Sequence, residues 1–303
     1  LKKTERFHYN KGFTGKRVFA FCSRSLAETR QIRAELGGTI NDVILAVLTE
    51  AMRRYLHDHD EETDGKYLTY MIPVNVRGDA ESGAMGNRIT LLPVKVSMDE
   101  MDLVERMTDI HDTIQQLKES DVPRTVGLFL GMLQGTHPLF QKLTFGSLLS
   151  NELGLRLLGH VPQWPPANLI CTNVPGPQIP LYSVGHRLLR MYPLLALILA
   201  LAVSTAITSY APRLYRSFLG DEGCADDVDV LRDHFMQAYD ELRAAANVEE
   251  SAYIELKRPA IERAKAKPRT AKRATKKKPA SARKGTVRKK SVRAARKPAS
   301  NES

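Results

Sequence analysis

Only three cysteines, Cys22, Cys171 and Cys224, occur in 303 residues, and they lie far apart. No Cys-x-x-Cys pair and no zinc-type histidine spacing accompanies them. A disulfide framework and a structural zinc are therefore excluded, and a reducing, cytoplasmic setting fits. A Gly-x-Ser-x-Gly elbow, a Walker loop and a dinucleotide fingerprint are also absent. No apolar run stands behind Leu1-Lys2-Lys3-Thr4, so a signal peptide is not expected. One charge-free stretch, Met191 to Tyr210, has the length of a membrane span. Pro193 near its start and Ser204, Thr205, Thr208 and Ser209 near its end predict buried strands instead.

The chain is 43% hydrophobic, enough for a real core, and carries a net charge of +11. That charge is unevenly placed. Residues 257–303 hold 19 Lys/Arg against Glu262 and Glu302, which leaves 26 basic and 32 acidic residues in 1–256. A mildly acidic body thus precedes a strongly basic tail, and the pI of 9.5 concerns the tail.

The body is organised around Gly37 to Leu56. Ile40, Val43, Ile44, Val47, Leu48, Ala51, Met52 and Tyr55 recur at three- and four-residue steps and predict a core-facing amphipathic helix. Thr39 with Asp42 three residues on fits a capping box, and Gly37-Gly38 ends what precedes it. Before it, Arg17 to Ser23 is β-prone and Ser25 caps a helical segment to Leu36. After it, a charged loop, His57 to Lys66, leads to a strand, Tyr67 to Val76. A turn region, Asp79 to Gly86, leads to a second strand, Asn87 to Val96. Ser97 and Asp99 offer caps for a helix reaching Lys118. Val122 to Gly159 is apolar and glycine-interrupted and reads as short helices. Ala167 to Thr172, Leu181 to Met191, Leu197 to Tyr210 and Arg213 to Leu219 read as strands, and Asp226 to Ala246 as a closing helix with Val228, Leu231, Phe235, Ala238, Tyr239 and Leu242 inward. Strands mixed with helices of unequal length predict an α/β or α+β layered fold.

Four segments stand in a telling order: Thr39-Ile-Asn-Asp-Val-Ile-Leu-Ala46, Pro73-Val-Asn-Val-Arg77, Gly86-Asn-Arg-Ile89, and Asn173-Val-Pro-Gly-Pro177 followed by Leu181-Tyr182 and Met191-Tyr192-Pro193. In this order and spacing, over residues 17–246, the chain resembles the C-terminal half of the bacterial wax ester synthase/diacylglycerol acyltransferase family common in mycobacteria. The resemblance implies a fold like the CoA-dependent (chloramphenicol acetyltransferase-like) acyltransferases, two related domains facing each other across a channel. It also implies transfer of a fatty acyl group from acyl-CoA to diacylglycerol or a long-chain alcohol, with acyl-CoA as co-substrate and no bound cofactor or metal. On this reading residues 1–16 are a linker from an N-terminal half, 17–248 the acyltransferase-like domain and 249–303 a tail.

An acceptor hydroxyl is a poor nucleophile until a base takes its proton, a role that suits histidine. The resemblance implies that this histidine comes from a His-His-x-x-x-Asp-Gly motif in the N-terminal half, and the motif does not occur in these 303 residues. The near miss, His59-Asp-Glu-Glu-Thr-Asp64-Gly65, is one residue too long and has Asp58 where the first histidine is needed. A solvated turn is the expected state there. No catalytic residue is therefore assigned, and the chain by itself is expected to be inactive. Candidate channel residues are Asn41, Asp42, Asn75, Arg77, Gly86, Asn87, Asn173, Pro175, Gly176 and Pro177. Helix initiation by Asn41 and Asp42, and locking of strand ends by the others, are the alternative roles. Leu194 to Ala206 departs from the family pattern in being rich in Ala and Leu.

The tail is Lys, Arg, Ala, Pro, Ser and Thr with almost no aromatic or branched apolar residues. It cannot bury enough surface to offset the entropy of ordering and is expected to be disordered. Its basic clusters, Lys276-Lys277-Lys278 and Arg288-Lys289-Lys290, lack aromatics to stack on bases and predict electrostatic binding of a polyanion. The anionic inner membrane surface or a lipid body is the expected partner, with nucleic acid as the competitor. The alternative to a transferase half is a non-catalytic protein that binds lipid or a partner half and is held by its tail.

Overall fold

The computed structural model describes residues 4–11, 14–75, 89–120, 167–197 and 201–251. Arg77, Gly86, Asn87, the region read as short helices at 122–159 and the tail lysines and arginines lie outside the described residues. Twelve elements follow in order: β1 (Arg17–Ser25), α1 (Leu26–Leu36), α2 (Ile40–His57), β2 (Tyr67–Asn75), β3 (Ile89–Ser97), α3 (Leu103–Glu119), β4 (Leu169–Val174), β5 (Tyr182–Ser183), β6 (His186–Arg187), β7 (Val203–Tyr210), β8 (Arg213–Asp221) and α4 (Val228–Ala245).

Six strands form one mixed sheet in the order β1-β8-β7-β4-β2-β3. Its centre, β2, β4 and β7, is parallel, and β3, β8 and β1 are added by antiparallel pairing. All three parallel strands therefore finish at one edge of the sheet. β4 and β7, buried on both sides, read as apolar and small-residue runs.

Side chains alternate across the sheet. Tyr70, Cys171 and Phe218 belong to a large core with α2, α3 and α4, whereas Met71 and Ile170 pack on the other face under Leu195 and Leu201. The charge-free stretch divides accordingly: Met191–Leu197 runs without regular structure over that second face, and Val203–Tyr210 is the fully buried strand β7. Among the described residues no helix is long and apolar enough to cross a membrane.

The predicted capping box of α2 is present. The Thr39 backbone N–H donates to Asp42 Oδ2 (2.7 Å) and the Asp42 N–H donates to Thr39 Oγ1 (3.3 Å). The helix is more central than an amphipathic face implies, since every residue from Asp42 to Met52 is buried. Its polar positions are paired inside: Thr49 Oγ1 lies 2.9 Å from Tyr70 Oη, and Glu50 accepts from Arg53, Arg54 and Arg106. Burial alone would raise the Glu50 carboxyl. The hydrogen bonds from Arg53 and Arg54 and the charge of Arg106 more than offset it, so the group titrates below the usual carboxylate range.

Two element expectations need correction. The cap of α3 is Asp102, whose side chain accepts from the Val104 N–H (2.8 Å). Ser97 and Asp99 instead bond to each other (2.6 Å) at the end of β3. Leu181 to Met191 is a small hairpin of two two-residue strands, β5 and β6, because Val184-Gly185 adopts positive φ and turns the chain at once.

Candidate functional site at the ends of the parallel strands

The sheet edge where β2, β4 and β7 end is the place where an open α/β sheet offers a binding crevice. There the predicted motif residues meet. Asn41, in the first turn of α2, and Asn173, near the end of β4, are 132 positions apart, yet Asn173 Nδ2 donates to Asn41 Oδ1 at 2.7 Å. This bond ties the helix start to the strand end. Asn75 is the last residue of β2, paired with Ile89 across the antiparallel ladder.

Beyond Asn173 the loop Val174-Pro175-Gly176-Pro177 lies against the last turn of β7. Thr208 Oγ1 donates to the Val174 carbonyl (2.9 Å), and the Gly176 N–H donates to Ser209 Oγ (3.1 Å). Gln178 Nε2 donates to Ser209 Oγ (2.9 Å), and the Ala211 N–H donates to the Pro177 carbonyl (3.2 Å). Gly176 is required by space: a Cβ there would stand 2.1 Å from the Ser209 carbonyl oxygen. Tyr210 Oη accepts from the Leu181 N–H (3.0 Å) and donates to the Leu188 carbonyl (2.8 Å), which pins the β5–β6 hairpin to β7. Tyr192 packs edge-on against Tyr215, with centroids 5.1 Å apart. The segments Asn173–Pro177, Leu181-Tyr182 and Met191-Tyr192 are thus gathered at the turn between β7 and β8. Val174, Ile179, Tyr182 and Val184 leave this region with an exposed apolar surface.

Asp42 faces elsewhere. One helical step of about 100° separates it from Asn41, and its buried Oδ2 lies 2.7 Å from His111 Nδ1 on α3. Gly38, at φ +79°, makes room for this approach, since a Cβ there would meet Asp42 Oδ2 at 2.9 Å and Met107 at 3.2 Å. The Asn-Asp pair therefore splits its work: Asn41 joins the strand ends, and Asp42 caps α2 and fastens α3. His111 is the residue that sequence reasoning missed. It sits beside the inward Ile110, and nothing in the local sequence announces its carboxylate partner.

The near-miss motif belongs to another region. His59 follows the C-terminus of α2, and 18 helical residues at 1.5 Å each put it roughly 27 Å from Asn41. Its Nδ1 bonds the Tyr55 carbonyl (2.8 Å), its ring stacks on His8 (4.2 Å), and Asp64 and Gly65 form an exposed turn. Among the described residues no cluster of His, Cys, Asp or Glu could hold a metal ion.

At the strand ends the contributed groups are amides, hydroxyls, prolines and a glycine. They can fix the shape of a channel wall and accept or donate hydrogen bonds, but none of them can take a proton from an alcohol. Against this geometry, the model of the family described as WS/DGAT C-terminal domain matches residues 85–243. The chain belongs to the WS/DGAT C-terminal domain family. It is 31% identical over 206 residues to the O-acyltransferase WSD of Acinetobacter baylyi, covering 68% of this chain and 42% of that protein. It is 29% identical, with the same coverage, to a probable diacylglycerol O-acyltransferase, tgs1, of Mycobacterium tuberculosis. Among solved structures it is similar to the wax ester synthase/diacylglycerol acyltransferase from Marinobacter aquaeolei VT8, at TM-score 0.59 and 26% identity over 81% of this chain and 53% of that one. The epimerization domain of tyrocidine synthetase B shares the fold at TM-score 0.50 and 10% identity, over 81% of this chain and 52% of that one. The mixed α/β fold is thus that of the CoA-dependent acyltransferase-like proteins, as the motifs implied. The chain spans about half the length of the curated relatives it matches.

Proposed function

We propose that this chain forms the C-terminal, channel-building half of a long-chain acyl-CoA:diacylglycerol or alcohol O-acyltransferase. Residues 17–248 make the domain, and the proton-abstracting histidine comes from a His-His-x-x-x-Asp-Gly motif supplied by an N-terminal half, in cis or as a separate chain. The observation that carries this reading is the convergence of Asn41, Asn173 and the Gly176 loop at the ends of the parallel strands, with no general base among them. Transfer needs a base to raise the nucleophilicity of the hydroxyl, and these residues serve better to hold the reactants near attack geometry. Acyl-CoA is the co-substrate, and the exposed apolar residues of this region, Val174, Ile179 and Tyr182, suit an acyl chain.

The test is ester formation from a long-chain acyl-CoA with diacylglycerol or a long-chain alcohol. The purified 303-residue chain is expected to form none, and to gain activity when an N-terminal half of the family is added. Ester formed by the chain alone would overturn the division of labour and direct attention to the Asp42–His111 pair. The tail, through Lys276–Lys278 and Arg288–Lys290, is proposed to hold the protein on the anionic cytoplasmic face of the membrane or on lipid bodies. Each basic residue close to such a surface contributes about 1 kcal/mol. Liposome binding that ignores the anionic lipid fraction would remove that part.

A further inference from the structure

Arg216 stands in the middle of β8, opposite Cys22 of β1 and Ile207 of β7, on the sheet face that the helices cover. It is 3% exposed. Its Nε donates to Thr205 Oγ1 at 2.9 Å, and its guanidinium carbon lies 4.0 Å from the centre of the Phe235 ring and 5.0 Å from that of Phe218. Neither Nη1 nor Nη2, both buried, has a hydrogen-bond partner. No carboxylate answers this charge. The ionisable groups that act on it are Cys171, Cys22 and Tyr70, and burial keeps all three protonated by raising them, Cys22 to about 11. Arg24 borders the same space but is occupied by Asp240 Oδ2 (2.6 Å) and the Met236 carbonyl (3.0 Å).

An uncompensated buried guanidinium is among the costliest features a core can carry, and two unpartnered N–H-bearing nitrogens call for an occupant. Beside it lies a partly open cleft walled by Cys22, Ile44, Ile207, Leu214 and Phe235, with Arg216 in its lining. The space open to the centre of a water-sized sphere is about 20 Å³. That is enough for one small species and far too little for an acyl chain. We infer that this cleft is a binding site for a small monovalent anion, chloride in the cell, that neutralises Arg216 between the sheet and α4. Apolar walls favour weakly hydrated halides over strongly hydrated, doubly charged sulfate, which would have to shed its water shell there. The site is separate from the strand ends and stands whether or not the transferase reading does.

The test uses the full 303-residue chain, crystallised with sodium bromide and melted in sodium chloride, bromide, gluconate and sulfate at matched ionic strength. The expected result is an anomalous bromide peak within hydrogen-bond reach of the Arg216 Nη atoms. At halide tenfold above its dissociation constant, the melting temperature should rise by roughly 3 °C relative to gluconate. In Arg216→Met, whose side chain is of similar length and uncharged, the halide dependence should vanish. Absence of the bromide peak at Arg216 overturns the inference, and this decides the matter even if the variant fails to fold. Equal stabilisation by sulfate and bromide also overturns it, since that is screening of the basic tail rather than occupation of the cleft.

Discussion

Replacing Gly176 with alanine probes the site's architecture with one carbon atom. The added Cβ would stand 2.1 Å from the Ser209 carbonyl oxygen, 2.9 Å from Thr208 Oγ1 and 3.3 Å from the Ser209 carbonyl carbon. Even a close C···O contact is about 3.3 Å, so the loop must lift from β7 by roughly 1 Å. Two of the three obstructing atoms are backbone, and a strand buried on both sides has nowhere to move. The lift breaks the bonds from Gly176 N–H to Ser209 Oγ, from Gln178 Nε2 to Ser209 Oγ and from Ala211 N–H to the Pro177 carbonyl. At about 1 kcal/mol each, the loss is roughly 2–4 kcal/mol. For a domain of this size that corresponds to a fall in melting temperature of roughly 5–12 °C. Urea unfolding followed by circular dichroism measures the free energy, with Gln178→Ala, which removes only its own bonds, expected to lose about 1 kcal/mol. A Gly176→Ala loss below about 0.5 kcal/mol, within the range of neutral surface changes, would refute the close packing of this loop against β7.

Two further perturbations address the core and the far end of α2. Glu50→Ala leaves Arg106, whose side chain is 1% exposed, without its carboxylate. Removing one partner of a buried pair costs about 3–5 kcal/mol, read as a drop in the urea midpoint, and Arg106→Met in the same chain should recover part of it; additive losses would contradict the pairing. Burial lowers the pKa of His8 below 6.5, against the opposing hydrogen bond to Glu61 and with help from the charge of His59. The unfolded chain therefore binds more protons than the folded one as pH falls below about 6.5, and stability must fall with it. His8→Gln should flatten the melting-temperature profile between pH 7 and 5, and an unchanged slope would assign the pH dependence to other groups.

The sequence by itself determined the features that are settled within a few residues. The α2 capping box needs only Thr39 and Asp42 three positions apart, and the Ser25 cap of α1 accepts from the Glu28 N–H (3.3 Å) in the same local way. Helical periodicity located α4's inner face, with Val228, Leu231, Phe235, Ala238, Tyr239 and Leu242 all buried. The motif order pointed to the family that the comparisons then showed. Where a competing local option existed, the reading slipped: three capping residues, Ser97, Asp99 and Asp102, precede α3, and the one that caps is fixed by Ser97 and Asp99 being bonded to each other and to Arg106.

Only the tertiary structure decided which distant residues meet. β4 enters the sheet between β2 and β7, elements far from it in sequence, and that insertion alone brings Asn173 to Asn41 and Gly176 to Ser209. Parallel pairing leaves no hairpin signature in the sequence, because the partner strands are joined by long crossovers rather than by turns. Asp42 could be read as a cap but not as the partner of His111, since that contact depends on how α3 crosses α2. Arg216 is the sharpest case. Its type predicts the surface, and only the pairing of β8 between β1 and β7, under α4, seals a guanidinium inside the core.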